Sequence, residues 1–134
     1  MPATKPYLLL ADVKAILAAA EAHALKNQWP VTVVVVDEGG HALGLLRLDG
    51  CSAFASKVAA EKARVAALSR RETQFYEHMI NQGRNAFLSA PVEGMIEGGV
   101  PIVVDGHCLG AVGVSGVKSE QDAEVARAGI AALA

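Results

Sequence analysis

The sequence predicts an α/β domain of three layers, a mostly antiparallel sheet with helices on both faces, and three observations carry that prediction. Two stretches read as hairpins, whose strands pair locally and antiparallel. Helical patterns flank and separate them, in the order helix, hairpin, helices, hairpin, helix. The strands themselves are near-continuous β-branched runs, which need apolar cover on both sides. With 134 residues, 52% of them hydrophobic and 4% aromatic, the chain suits one domain, residues 1–134, built on aliphatics and alanine.

The elements follow in order. Ala11 to Lys26 is rich in helix formers and sets Val13, Ile16, Leu17, Ala20 and Ala24 on one stripe, with Asn27 and Pro30 to stop it. Val31 to Val36 is an unbroken apolar run, too short for a comfortable helix, and predicts a central strand. Asp37-Glu38-Gly39-Gly40 turns the chain, and His41 to Leu48 returns as its partner. Ser52 is placed to cap a helix running to about Leu68. Ser69-Arg70-Arg71-Glu72 has the spacing of a capping box, opening a second helix or a kinked continuation to about Arg84. Asn85 to Gly94 reads as loop. Val100 to Val104 and His107 to Val114 are strands joined by Asp105-Gly106, the strongest short hairpin signal in the chain. Ser119-Glu120-Gln121-Asp122 resembles a capping box for a last helix.

Charge and composition narrow the partners. Twelve Lys and Arg stand against fourteen Asp and Glu with no basic block, which argues against nucleic acid and anionic membranes as partners. The apolar run Tyr7 to Ala11 is too short for a membrane span and has no small-residue cleavage site after it, so the chain is expected to be cytoplasmic. Cys51 and Cys108 form no CxxC, and reduced thiols are expected. A small-molecule ligand and protein surfaces remain.

One stretch poses a question. EGGVPIVVDGHCLGAVGVSG, from Glu97 to Gly116, holds six of the thirteen glycines among strand-forming valines. Glycine weakens a strand, so something comes close to this backbone: a ligand, a packed helix or another subunit. In the last strand the alternation sets Cys108, Gly110, Val112 and Val114 on one face and His107, Leu109, Ala111, Gly113 and Ser115 on the other. Gly98-Gly99 ahead of Pro101 is either a tight turn feeding an edge strand or a run of bare amides able to hold an anion.

Lys62 is out of place. At about 100° per residue, Lys57, Glu61 and Arg64 share a charged face, whereas Lys62 falls between Ala55, Val58 and Ala66 on the apolar side. Either its stem covers the core while the ammonium reaches water, or the ammonium meets a carboxylate, from this chain or from a ligand. Ala55, Ala59, Ala63 and Ala66 suit close helix–sheet packing. His23, His41, His78 and His107 never occur at chelating spacing, and neighbouring His107 and Cys108 point to opposite faces, so no metal cluster is predicted. A single histidine still suffices as an axial haem ligand. No GxSxG or phosphate loop is present.

VTVVVVDEGGHALGLLRLDG, EKARVAAL, IEGGVPIVVDGHCLGAVGVSG and DAEVARAGIAAL, in that order, resemble the GlcG/HbpS family, also called haem-degrading or PduO C-terminal-like domains. The resemblance covers nearly the whole chain. It implies a five-stranded antiparallel sheet with flanking helices and a profilin-like appearance, homo-oligomers with an even number of subunits, including octamers, and haem binding in some members. It does not imply one activity. Arg47, Asp49, Lys62, Gly98, Gly99, Pro101 and Ser115 fall on its motif positions and are the ligand-binding candidates. Glu97 departs from the uncharged residue many relatives carry before the glycine pair. It is either an exposed turn carboxylate or a general base, with His78 as its acid partner.

Two functions of different class follow. One is a binding protein for haem or a comparable flat metabolite, held on a small-residue surface or between subunits, with His78 ahead of His107 as iron ligand. The other is a cofactor-free lyase, isomerase or hydrolase acting on a small carboxylate from a catabolic pathway, with Lys62 or Arg47 holding the anion and Glu97 or His78 moving a proton. In a third, structural reading the glycines only let subunits pack, and the chain assists a neighbouring enzyme.

Overall fold

The computed structural model describes residues 1–133 and contains α1 (Leu10–Lys26), β1 (Thr32–Asp37), β2 (Ala42–Arg47), α2 (Ala53–Ser69), α3 (Thr73–Asn81), β3 (Gly99–Val104), β4 (His107–Ser115) and α4 (Ser119–Ile130), with 3₁₀ turns at Asn85–Ser89 and Ala131–Leu133. The strands form one antiparallel sheet in the order β2-β1-β4-β3. Both central strands are buried on two faces, as their unbroken apolar runs require. The three predicted layers are present. On one face Val33, Val35, Val112 and Val114 meet Val13, Ile16 and Ala20 of α1 and Val125 of α4. On the other, Val34, Val36 and Ala111 meet Ala59, Ala63, Ala66 and Ala67 of α2.

The sheet has four strands where five were expected. The remaining extended stretches, before α1 and from Ala90 to Ile96, make no ladder bonds, and each carries proline, which lacks the donor a ladder needs: Pro2, Pro6 and Pro91. Helix boundaries also differ. Ser52 caps α2 as predicted, accepting the Ala55 amide at 3.0 Å. The Ser69 capping box does not form, because Ser69 ends α2 and donates its hydroxyl back to the Val65 carbonyl, while Arg70 turns left-handed at φ 58 and stops the helix. Accordingly α3 is a separate helix, and it ends at Asn81, short of Arg84. In α4 the cap is Lys118, and Asp122 turns inward.

A bulge corrects the face assignment in β4. Ile102 pairs with Gly110 but Val103 pairs with Cys108, so Leu109 is the extra residue. Leu109 therefore joins the α1/α4 core, and the Cys108 thiol points towards α2, near the Ala67 carbonyl.

The glycine question is answered by α2. Gly99 and Gly113 are opposite each other in the ladder, and the helix backbone rests on them. A Cβ on Gly113 would come within 2.1 Å of the Ala59 oxygen, and one on Gly99 within 2.4 Å of the Lys62 oxygen. Gly113→Ala is accordingly expected to lower stability in urea by about 3 kcal/mol, the upper range for overpacking. Gly39→Ala, whose Cβ meets the exposed His41 ring at 3.2 Å and Asp37 Oδ1 at 3.5 Å but no backbone, is the control and should stay within about 0.5 kcal/mol. A Gly113→Ala loss no larger than the control would contradict the packing account.

Candidate functional site

Where α2 touches the glycine pair, Lys62 leaves the helix and runs past Gly98 to the opposite layer. Gly98 has φ +135, and a Cβ there would lie 2.7 Å from the lysine Nζ, so both backbone and space call for glycine. The ammonium donates to the Val114 carbonyl at 3.0 Å and to Asp122 Oδ2 at 3.1 Å. Lys62 and Asp122 are 2% and 1% exposed, which rules out an ammonium reaching water. The partner is the acid of this protein. Asp122 Oδ1 also accepts the Val117 amide at 3.1 Å, so one carboxylate closes the start of α4 and neutralises the lysine that α2 sends through the sheet.

The other motif residues gather at this same end of the sheet, except Pro101, whose row through Ala111 and Val36 lies towards the other end. Arg47, Thr32 and Ser115 are ladder partners across β2, β1 and β4. Arg47 is exposed and donates Nε to the Cys51 carbonyl at 2.9 Å. With Asp49, Trp29 and Leu25 it borders a groove of about 670 Å³. Ser115 is buried, its carbonyl near the Cys51 thiol, which lies 3.2 Å from the Thr32 hydroxyl. The Gly99 amide is already spoken for, donating to Thr73 Oγ1 at 2.9 Å. Pro101 sits in edge strand β3, where a missing donor does no harm.

Glu97 and His78 lie apart. The Glu97 amide donates to Glu77 Oε1 at 3.3 Å, and the Glu97 carboxyl is pushed above its ordinary 4.5, first by burial and then by the neighbouring charges of Glu77 and Glu120. His78, one step of about 100° further round α3 than Glu77, opens on a different groove of about 470 Å³, with Arg71, Gln74 and Phe75. The Arg71 guanidinium lies over the Phe75 ring, 4.3 Å from its centroid. His107 is exposed at the β3–β4 turn. Sequence reasoning missed Asp122 and Arg71, whereas Phe75 was expected beside His78, together with Tyr76, in an apolar slot. Asp122 was detectable, because it shares an i, i+3, i+4, i+7 stripe with Val125, Ala126 and Gly129 and is as misplaced there as Lys62 is on α2.

A four-stranded antiparallel sheet between α2 and the α1/α4 pair, locked at one end by a lysine–aspartate bridge, defines a compact α/β domain with most of its motif residues at that end. The chain belongs to the haem-degrading protein HbpS-like family, matched over residues 8–131. It is 53% identical over 112 residues to protein GlcG of Escherichia coli K12, covering 84% of each chain. Among solved structures it is similar to a double mutant of Streptomyces reticuli HbpS, with a TM-score of 0.88 and 28% identity over 99% of this chain and 91% of that one. It is also similar to the PduOC–haem complex, with a TM-score of 0.85 and 28% identity over 95% of each chain. Haem binding thus occurs within the family.

The buried bridge makes a pH-dependent prediction. Burial raises the Asp122 carboxyl above its ordinary 3.8, while Lys62 and the Val117 amide pull it back. The folded protein therefore holds this proton more tightly than the unfolded chain, and the group's contribution to stability falls as pH rises from 3.8 through the folded value. Lys62→Met removes the main opposing charge, and a loss of about 3–5 kcal/mol is expected at pH 7. That deficit should shrink on acidification as Asp122 takes up a proton, and Lys62→Met/Asp122→Asn should lose less than the two single variants summed. Urea melts at pH 7 and pH 5 check both, and a deficit that grows at the lower pH would contradict the assignment.

Proposed function

We propose that this protein is a small-molecule-binding protein that holds haem on the outer face of α3, with His78 as the iron ligand. The observation that carries the reading is the meeting of His78, Phe75 and Arg71 around one groove. Haem asks for an axial nitrogen, an apolar face and cations for its propionates, and this donor set supplies an imidazole, a phenyl ring and a guanidinium. Glu72 beside them is offset by its ion pair with Arg127. His107 has no such surroundings. The groove is open, and Phe75 is 43% exposed, so a second copy of the chain completes the cover. The protein works as a cytoplasmic homo-oligomer with an even number of subunits, up to the octamer that the family resemblance implies.

One observation favours the enzyme reading, the raised Glu97 carboxyl, which suits a proton donor acting on a small carboxylate. Its difficulty is the anion site. The Lys62 ammonium is held by Asp122, and Arg47 is three strand spacings from Glu97, roughly 14 Å, too far for one small carboxylate to touch both. Binding therefore leads.

Haem titration is expected to give a saturable one-site Soret shift that His78→Ala abolishes and His107→Ala retains. Retention in both variants removes the histidine assignment, and no shift at all returns the enzyme reading to first place. Sedimentation should give an even multiple of the 13.9 kDa chain. A monomer alone at micromolar concentration would refute the assembly.

A further inference from the structure

The other flank of α3 carries a second groove that the haem reading does not use. Between α3 and β3 the chain from Gln82 to Gly98 contains no strand or α-helix, and long connections of this kind in compact domains are commonly binding loops. This one is pinned: Gly94 has φ +87, and a Cβ there would come within 2.6 Å of the Glu61 carbonyl carbon and 2.8 Å of the Lys62 nitrogen. Between the pin and α3 lies a groove of about 420 Å³ walled by Ile80, Phe87, Leu88, Met95 and Ile96. An adjoining recess of about 260 Å³ shares Phe87, Val92 and Met95 with it and ends at Tyr76. Tyr76 and Arg84 hold the Phe87 ring, at 5.7 and 5.4 Å from its centroid.

The rim has the opposite character. Glu77 and Glu93 border the groove, and neither forms an ion pair among the described residues. Glu77 accepts only the Glu97 amide, and Arg64, which borders a recess together with Glu93, makes no ion pair with it. The negative field at this flank also shows in Glu97, whose carboxyl Glu77 helps to push up.

We infer that this groove is a second small-molecule site, built for an organic cation whose ammonium sits between Glu77 and Glu93 and whose aromatic or branched body fills the apolar floor. Apolar walls with few convergent polar groups are what a ligand site needs, and a charge-assisted bond to carboxylate fixes the orientation. An anion such as haem, with its two propionates, is repelled here. The site is therefore separate from the haem reading and stands without it.

Phenethylamine and 3-phenylpropionate, the same body with opposite charge, are the probes for an NMR titration of the isotope-labelled protein. The amine is expected to give saturable shifts at Ile80, Phe87, Met95 and Ile96 in the millimolar range, with the anion at least about tenfold weaker. Glu77→Gln/Glu93→Gln, which keeps the acceptor for the Glu97 amide, should weaken the amine about tenfold and erase the discrimination. Met95→Trp should fill the groove and abolish binding, with thermal melts verifying that each variant is folded. Equal affinity for amine and anion, shifts away from the groove, or no saturable shift overturns the proposal. Shifts that grow with protein concentration alone would assign the groove to a second copy and overturn it too.

Discussion

The contact between the α2 backbone and the Gly99–Gly113 pair governs the rest of this structure. Helix and sheet normally keep the distance that side chains impose, and here the side chains at the contact are absent on the strand side and methyl groups on the helix side. That proximity puts the Lys62 carbonyl against the start of β3, and the side chain follows the passage that Gly98 leaves open. An ammonium delivered there cannot reach water, so it must find an acceptor in the next layer. Asp122 and the Val114 carbonyl supply it. Gly98, Gly99 and Gly113, the alanines Ala59 and Ala63, one lysine and one aspartate are thus a single device, and none of them makes sense alone.

The two faces of the sheet divide the labour accordingly. Valines, isoleucine and the helices α1 and α4 make the thick side, where most of the apolar surface is removed from water. The α2 side is thin, an alanine layer that buries little per residue but fixes geometry. A buried ion pair adds little net stability over an apolar pair of the same shape, because desolvation cancels most of the attraction. Its value here is in register: only one sliding position of α2 along the sheet brings Lys62 to Asp122, whereas methyl-on-glycine packing by itself would accept several.

Much of this was legible in the sequence, and the parts that were not have physical causes. The stripe of α1, the doubly buried run of β1, the Ser52 cap and the Asp105-Gly106 hairpin are local patterns, and the structure follows them. The misplaced Lys62 was visible, but its partner lies sixty residues on, |i−j|=60, in a segment whose helix-start chemistry offered a simpler use for an acid. The Leu109 bulge was not legible, since alternation gives no sign of where a strand gains a residue, and that one residue swapped the faces of Cys108 and Leu109. Arg70 in a left-handed turn replaced the glycine that usually ends a helix, so the sequence left a second helix and a kinked continuation both open, and the structure has the second helix. His78 was found with Phe75 beside it on the same helix, but not Arg71, which precedes α3 and joins them through the turn that Arg70 makes.

That turn has a further consequence for chemistry. By ending α2 and restarting the chain as α3, it presents a short helix whose two flanks look onto different solvent grooves and carry opposite means of recognition. Arg71, Phe75 and His78 occur on one flank, Glu77 and the acidic rim on the other. Because Thr73 at the base of α3 is buried and bonded to Gly99, the helix is tied to the same glycine that supports α2. Any ligand that moved α3 would press on the α2 contact and on the Lys62–Asp122 bridge beneath it. The close packing that makes the fold rigid thus ties α3, and with it both flanks, to the α2 contact through Thr73 and Gly99.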